Sequence, residues 1–400
     1  MGIRAVPCSI YRGGTSRGVY LRDADLPFSQ EIRSQILVHL LGSPGAPQVD
    51  GLGAGTSSTS KAMIVGPSQR PGIQIESLFA QVSVNVPMVD WGGTCGNLTT
   101  AVAPFAIDCG LVKPVEPITE VSVFNINTQR TVISRVPVLN GRSMSEGDYA
   151  VPGVRGTGAR IELEFLEPGG TLNGRLLPTG DPVEQIRLSS GRSLSVSIVD
   201  AGNTLVFCDA AELGLHGTEL PSEIEQRQDI MAVLEEIRSI AAVRLGLVST
   251  PGDALSITPG APKVGFVAPS TSYKTSSGTT VRCEQIDLVG RVLSMQTAHH
   301  AYMGAGAICT AAAALTEGTI VYERCTPSSR ESGSIRIGHP QGVMDVSVRV
   351  ARRNEETTIL SATISRTARC IMEGFAYVPE SCFFLQTKPE PAQGATIWKA

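Results

Sequence analysis

An α+β fold in two similar halves follows from three observations on this 400-residue chain. Short runs rich in Val, Ile and Thr alternate apolar and polar residues, as half-buried strands do. Helical periodicity is confined to a few segments, and one turn–helix pattern occurs twice. Many strands with few helices make an α+β arrangement. The length suits two domains of ordinary size.

The doubled pattern is the most informative of the three. Thr94-Cys95-Gly96-Asn97 opens an apolar run that closes at Gly110, and Tyr302-Met303-Gly304-Ala305 opens another that closes at Gly318. Cys95 precedes Gly110 by the interval that separates Met303 from Gly318. Each copy reads as a small-residue turn, an apolar helix and a glycine C-cap. Two such helix starts facing each other make a site for an anion. Only the first carries a thiol at its mouth.

In chain order, Tyr11 to Tyr20 sets glycines around the hydroxyls of Thr15 and Ser16 and the guanidiniums of Arg12 and Arg17. Such a backbone approaches a ligand closely and Arg suits carboxylates; a hairpin turn carrying solvated charges fits the same residues. Glu31 to Leu41 places Ile32, Ile36 and Leu40 on one helical face, with Ser29 as N-cap and Gly42 after the end. Gly51 to Lys61 carries the hydroxyls of Ser57, Ser58 and Thr59, and its glycine–lysine spacing is not that of a P-loop. Ala62-Met63-Ile64-Val65 place Lys61 at the start of a buried strand, where an amine becomes available as a base. An edge-strand lysine with a snorkelling stem is the other reading. Cys95, a thiol at a helix start, is drawn toward thiolate and can exchange a proton with a carbon acid; a buried structural cysteine is its alternative.

Val82–Val86, Val121–Ile126, Leu194–Ile198 and Val346–Val350 alternate as strands. The turn-rich stretch around 180–193 divides the chain into domains 1–188 and 189–385, followed by a Pro-rich tail, 386–400. Ser222 to Leu245 reads as one long helix, with Ser222 and Glu225 as a capping box and Ile230, Leu234, Ile237 and Ala241 on its apolar face. Ser294-Met295-Gln296 and the pair His299-His300 precede the second helix start, where a histidine can bind a carboxylate or relay a proton.

Several classes of function are disfavoured. The nine cysteines are irregularly spaced with no CxxC, so neither a disulfide framework nor a zinc ribbon is expected. No HExxH occurs, and no metal is expected. Gly304-Ala305-Gly306 is a broken dinucleotide fingerprint that follows no clean strand, so a nicotinamide dinucleotide is not expected. A net charge of −4 without a Lys/Arg-rich run argues against nucleic acid or an anionic membrane as the main partner. No stretch approaches the roughly 18 consecutive apolar residues of a membrane span. The N-terminus lacks the apolar core of a secretory signal, which predicts a cytoplasmic protein.

At these residues the chain resembles the PrpF family, the 2-methylaconitate cis–trans isomerases, within the group that has the diaminopimelate epimerase-like fold. The resemblance runs over nearly the full chain, through Arg12–Gly18, Gly55–Lys61, Phe79–Val84, Cys95–Leu98, Gly174–Gly180, Ser294-Met295 with His299, Gly338-His339-Pro340 and Arg366–Arg369. It implies two similar domains, each a mostly antiparallel sheet wrapped around a central helix, with the active site in the cleft between them. It also implies cofactor-independent isomerisation of small unsaturated di- or tricarboxylates such as aconitate, methylaconitate or methylitaconate. Lys61 and Cys95 fall on the family's proposed acid–base positions. Two departures are visible: Arg17 stands where the family often has Lys, and Gln296 where it often has Gly. Amino-acid epimerases of this fold take one cysteine from each half. Here Met303 occupies the second thiol position and cannot transfer a proton, so two-thiol racemisation is not expected.

The site expected on these grounds holds a polycarboxylate at Gly96-Asn97 and Gly304-Ala305. Thr15, Ser16, Arg17, Ser57, Ser58, Thr59, Ser294 and His299 assist, Met303 lies beside it, and Lys61 and Cys95 move an allylic proton. Two alternatives stand: a keto–enol tautomerase of an oxalo-substituted dicarboxylate of the 4-oxalomesaconate type, and a non-catalytic accessory protein of an aconitase-like dehydratase. The expected partner is the small polycarboxylate; a homodimer is left open.

Overall fold

Two runs of strands carry the fold, and each pairs in the same order with the same senses. The structure, a computed structural model, describes residues 2–384 except 46, 354 and 355. In the first run β1 (Ile3–Gly13) is followed outward by β2 (Ser16–Arg22), β3 (Lys61–Pro67), β4 (Ile75–Val82), β6 (Ile118–Asn125), β7 (Arg130–Leu139) and β8 (Ile161–Leu166), with a short β5 (Val89–Asp90) on β4. In the second, β9 (Glu184–Arg187) is followed by β10 (Ser193–Ala201), β11 (Asn203–Asp209), β12 (Lys263–Pro269), β13 (Leu288–Ser294), β15 (Ser334–His339), β16 (Gly342–Arg353) and β17 (Glu356–Arg366), with a short β14 (Thr297–Ala298) on β13. The last strand, β18 (Ala368–Pro379), returns to pair with β1 as β9 pairs with β10, and β8 joins β17 between the runs.

Each run contains two parallel pairs, β2–β3 with β4–β6 and β11–β12 with β13–β15. Parallel neighbours need a crossover, and helices supply it. In the first run these are α1 (Gln30–Leu41), then α2 (Gly96–Thr99) with α3 (Val102–Asp108). In the second they are α4 (Pro221–Gln226) with α5 (Gln228–Arg244), then α6 (Gly304–Ala314). All of α6 is buried against β10, β11, β15, β16 and β17, while α3 lies against β3, β6 and β7. Residues of α3 and α6, from Val102 to Ile107 and from Ala307 to Ala314, belong to one apolar core. Ile36, Leu37 and Leu40 of α1 and Ile230, Leu234 and Ile237 of α5 fill two outer cores. Alanine at Ala307 and Ala311–Ala314 keeps α6 slim enough for strands to close around it.

Several sequence expectations change. The helix expected over Ser222–Leu245 is two helices broken at Arg227; the cap is Glu223, which accepts from the Leu220 N–H at 2.7 Å, and Glu225 accepts instead from the Ala298 N–H. Val82–Val86 is mostly loop, because β4 ends at Val82. The first copy of the doubled pattern breaks into α2 and α3, and in the second copy the helix ends at Ala314, before Gly318. Strand pairing crosses the 188/189 position three times, by β9 onward with β10, by β18 back to β1 and by β8 with β17. The physical reason is sheet closure: an edge strand binds the nearest open edge whatever its place in sequence. The tail 386–400, with residue 385, lies outside the described residues. The α1 expectation fits, with Ser29 Oγ accepting from Ile32 N–H and Gly42 in the left-handed region.

Candidate active site

The starts of α2 and α6 touch. A Cβ on Gly96 would stand 2.6 Å from the Ala305 nitrogen, and one on Gly304 would stand 3.1 Å from the Gly96 carbonyl carbon. Only glycine permits this approach, which concentrates unpaired N–H groups of two helix starts at one point. Cys95 is the N-cap of α2, its Sγ accepting from the Leu98 N–H, and Met303 is the N-cap residue of α6. The thiol and the thioether therefore sit at equivalent places, as the doubled sequence pattern requires.

A pocket lies at this junction. Lys61, the first residue of β3, enters it from a buried position. Its ammonium donates to Gln81 Oε1, and Gln81 is the residue paired with it on β4. The Gln81 amide is oriented by its own donations to the Ser60 and Ser57 carbonyls, at 2.9 and 3.2 Å, so its oxygen is left to face Lys61. Burial pushes the Lys61 amine down from the ordinary lysine range, against the opposing pull of Cys95 and Asp90. An amine so placed passes readily between neutral base and ammonium acid.

Of the residues expected from sequence, Ser16, Ser57, Ser58, Lys61, Cys95, Gly96, Asn97, Ser294, His299, Met303 and Gly304 line this pocket. Ser16 Oγ lies 4.0 Å from Cys95 Sγ. The hydroxyl loop before Lys61 is tied down by Gln48, which donates to Ser60 Oγ and accepts from the Gly55 N–H. Four expected residues stand outside the lining, Ala305 within α6 and three others. Thr15 is in the β1–β2 hairpin turn and accepts from Asn97 Nδ2 at 3.0 Å, which positions Asn97. Arg17 turns its guanidinium to the Leu52 carbonyl, and Thr59 bonds to Thr56 within its own loop. His299 stacks on His300 with ring centroids 4.8 Å apart, and its Nδ1 accepts from the Ala301 N–H. Burial first, then His300 and Lys61, push its imidazole down to about 3, so it is neutral across the working range.

Sequence reasoning missed Lys263, Asp90, Asn203 and Gln81 as site residues, all of which line the pocket. A signal for Lys263 was present. Lys61-Ala-Met-Ile-Val-Gly-Pro67 and Lys263-Val-Gly-Phe-Val-Ala-Pro269 are strands of equal length that begin with lysine and end with proline. Burial, with Lys61 adding to it, pushes the Lys263 amine down to about 8. A wider groove adjoins the pocket and shares Ser57, Ser58, Gln81, Ser294, Met295 and His299 with it. At its edge Met295 and Gln296 form the two-residue turn between β13 and β14, both with positive φ. Among the described residues no cluster of three or more His, Cys, Asp or Glu side chains is placed to hold a metal, and no helix is long and apolar enough to cross a membrane.

A sequence-family model described as PrpF protein matches residues 3–379. The chain belongs to the PrpF family. It is similar to the 3-methylitaconate isomerase of Eubacterium barkeri, 39% identical over 94% of this chain and 98% of that protein. It is also similar to the 2-methyl-aconitate isomerase of Shewanella oneidensis, 38% identical over 94% of this chain and 97% of that one. A crystal structure of methylitaconate-delta-isomerase, 37% identical, superposes with a TM-score of 0.77 and covers 98% of this chain and 100% of its own. The named relatives thus match this chain in sequence over nearly its whole length, and the solved methylitaconate-delta-isomerase matches it in fold.

Proposed function

We propose that this PrpF-family chain is a cofactor-independent isomerase of small unsaturated di- and tricarboxylates of the aconitate or methylaconitate type. It shifts a double bond, or interconverts cis and trans forms, by allylic proton transfer through Lys61 and Cys95. The observation that carries this reading is the meeting of a buried lysine and a helix-capping thiol in one pocket, at two abutting helix starts. The relatives named for methylitaconate and 2-methyl-aconitate isomerisation give it a substrate class.

In the reaction, a carboxylate of the substrate lies against the N–H groups at Gly96-Asn97 and Gly304-Ala305. One of Lys61 and Cys95 removes a proton from the carbon γ to a conjugated carboxylate. The electron pair spreads into a dienolate, whose charge reaches the carboxylate oxygens held by those donors. The weakened double bond rotates or migrates, and a proton returns at the γ or the α carbon from the same group or the other. No oxidation state changes, so the balance closes on proton transfer alone. Met303, facing from the second helix start, has no proton to offer, which separates this chemistry from inversion by two thiols. We place the site in a cleft between two domain-like halves, strands β1–β8 with β18 on one side and β9–β17 on the other.

¹H NMR in D₂O with cis- and trans-aconitate, 2-methylaconitate and methylitaconate tests the reading. Interconversion with solvent deuterium entering the γ position is expected. Absence of both interconversion and exchange with every acid, or an unchanged rate in Lys61→Ala, refutes it. The wide groove beside Met295 favours one second reading, tautomerisation of a larger oxalo-substituted dicarboxylate. Ultraviolet spectroscopy of keto–enol conversion separates the two.

A further inference from the structure

We infer that Lys263 is the cationic anchor for a second carboxylate of the substrate, standing in one half of the molecule where Lys61 stands in the other. The inference rests on the polycarboxylate reading above and names the residue that makes the pocket selective for more than one carboxylate.

The placement is a product of the duplicated topology. Lys61 opens β3, which runs parallel to β2, and Lys263 opens β12, which runs parallel to β11. Ser16 and Asn203, the first residues of β2 and β11, line the pocket together with the two lysines. Lys263 is buried, and its Nζ donates to the Gly260 carbonyl at 2.7 Å. Among the described residues no carboxylate forms an ion pair with it. An ammonium has three protons to give, so two remain for a ligand in the pocket. Lys61 differs, because its partner Gln81 and its thiol neighbour Cys95 tie it to proton transfer. On the Lys263 side the equivalent of Cys95 is Met303, which neither gives nor takes a proton, and a charge there serves binding. Asp90 approaches from the first half, its Oδ2 2.4 Å from where a Cβ on Gly260 would stand. With Asp90 in the pocket, one lysine leaves no net positive charge for a dianion; two lysines do.

The charged and titratable groups that act on Lys263 are Lys61, Asp90, Cys95 and Arg238, with His299 also within reach of its charge. Burial first, then the neighbouring Lys61, push its amine down to about 8. A carboxylate beside it favours the ammonium, so ligand binding near that pH draws a proton from solvent onto Nζ.

The test is calorimetric titration of tricarballylate, a tricarboxylate without a double bond, and of butyrate, a monocarboxylate, at pH 8 in two buffers of different ionisation enthalpy. Wild type, Lys263→Gln and Lys263→Arg are compared. Loss of one charge-assisted contact should weaken tricarballylate roughly 10- to 100-fold in Lys263→Gln, with butyrate much less affected and proton uptake reduced. Lys263→Arg should keep most of the tricarballylate affinity yet lose proton uptake, a combination that a merely structural residue would not produce. In turnover, Lys263→Gln should raise KM more than it lowers kcat. Unchanged tricarballylate affinity in Lys263→Gln, or equal weakening of both ligands, overturns the inference. So does loss of deuterium exchange at saturating substrate with tricarballylate affinity intact, which would make Lys263 a proton-transfer group. If wild type binds no polycarboxylate at all, the functional reading itself fails, and the anchor with it.

Discussion

Replacing Lys263 with methionine should stabilise the protein at neutral pH, although the change removes a buried hydrogen bond. The native pocket holds this amine to about 8, while its ordinary value is 10.5. Between those two values the unfolded chain binds more protons than the folded one, so stability rises as pH climbs through the window. Below about 8 both states are protonated and the full penalty of burying the charge, about 3 kcal/mol, is present. Methionine fills a similar volume without charge and removes the penalty. It also removes the bond to Gly260, worth about 1 kcal/mol. Lys263→Met should therefore be more stable than wild type by about 1 to 3 kcal/mol at pH 7. The difference should vanish or reverse near pH 10.5. Urea denaturation followed by circular dichroism at pH 7, 9 and 10.5 measures it, with the slope m checked for constancy. A gap that does not shrink as pH rises, or a variant less stable than wild type at pH 7, would refute the reasoning by showing that the ammonium is well solvated in the folded pocket.

The remaining predictions concern other parts of the site. Cys95→Ser keeps a capping oxygen for the Leu98 N–H and should fold at least as well as wild type. The rate should nonetheless fall roughly 10²- to 10⁴-fold as a positioned acid–base group is lost; wild-type turnover in this variant would remove the thiol from the mechanism. Gly304→Ala drives a methyl into the Gly96–Asn97 backbone. It should cost about 1 to 3 kcal/mol and lower kcat/KM by separating the helix starts, seen as a lower Tm together with weaker tricarballylate binding. Gln296→Gly relieves a left-handed residue at φ 60 and should raise stability by about 1 kcal/mol, read from the urea midpoint; no gain would mean the turn is unstrained with its present side chain.

Local physics made the individual parts legible in sequence. Cys95-Gly96-Asn97 and Met303-Gly304-Ala305 announce two equivalent helix starts, and the apolar run after Lys61 announces a buried strand headed by an amine. Ser29 and Gly42 bracket α1 because capping depends on residues within one turn. The same local logic failed where a distant partner decided the outcome. Glu225, read as part of a capping box, is taken by the Ala298 N–H across the fold, and the helix it was meant to start is broken at Arg227. Val82–Val86 alternates like a strand but lies mostly beyond the last strand residue of β4.

By itself, then, the sequence determined most of the element types, the duplication and the family, because each of these is written in short-range pattern and spacing. Only the tertiary structure decided that β18 closes on β1, that Arg17 turns away to Leu52, and that two lysines about two hundred residues apart face one pocket. Those outcomes depend on which edges and charges meet when strands distant in sequence pair around buried helices. A chain read one residue at a time does not contain the distance between Lys61 and Lys263; the pairing of parallel strands in two matching halves creates it.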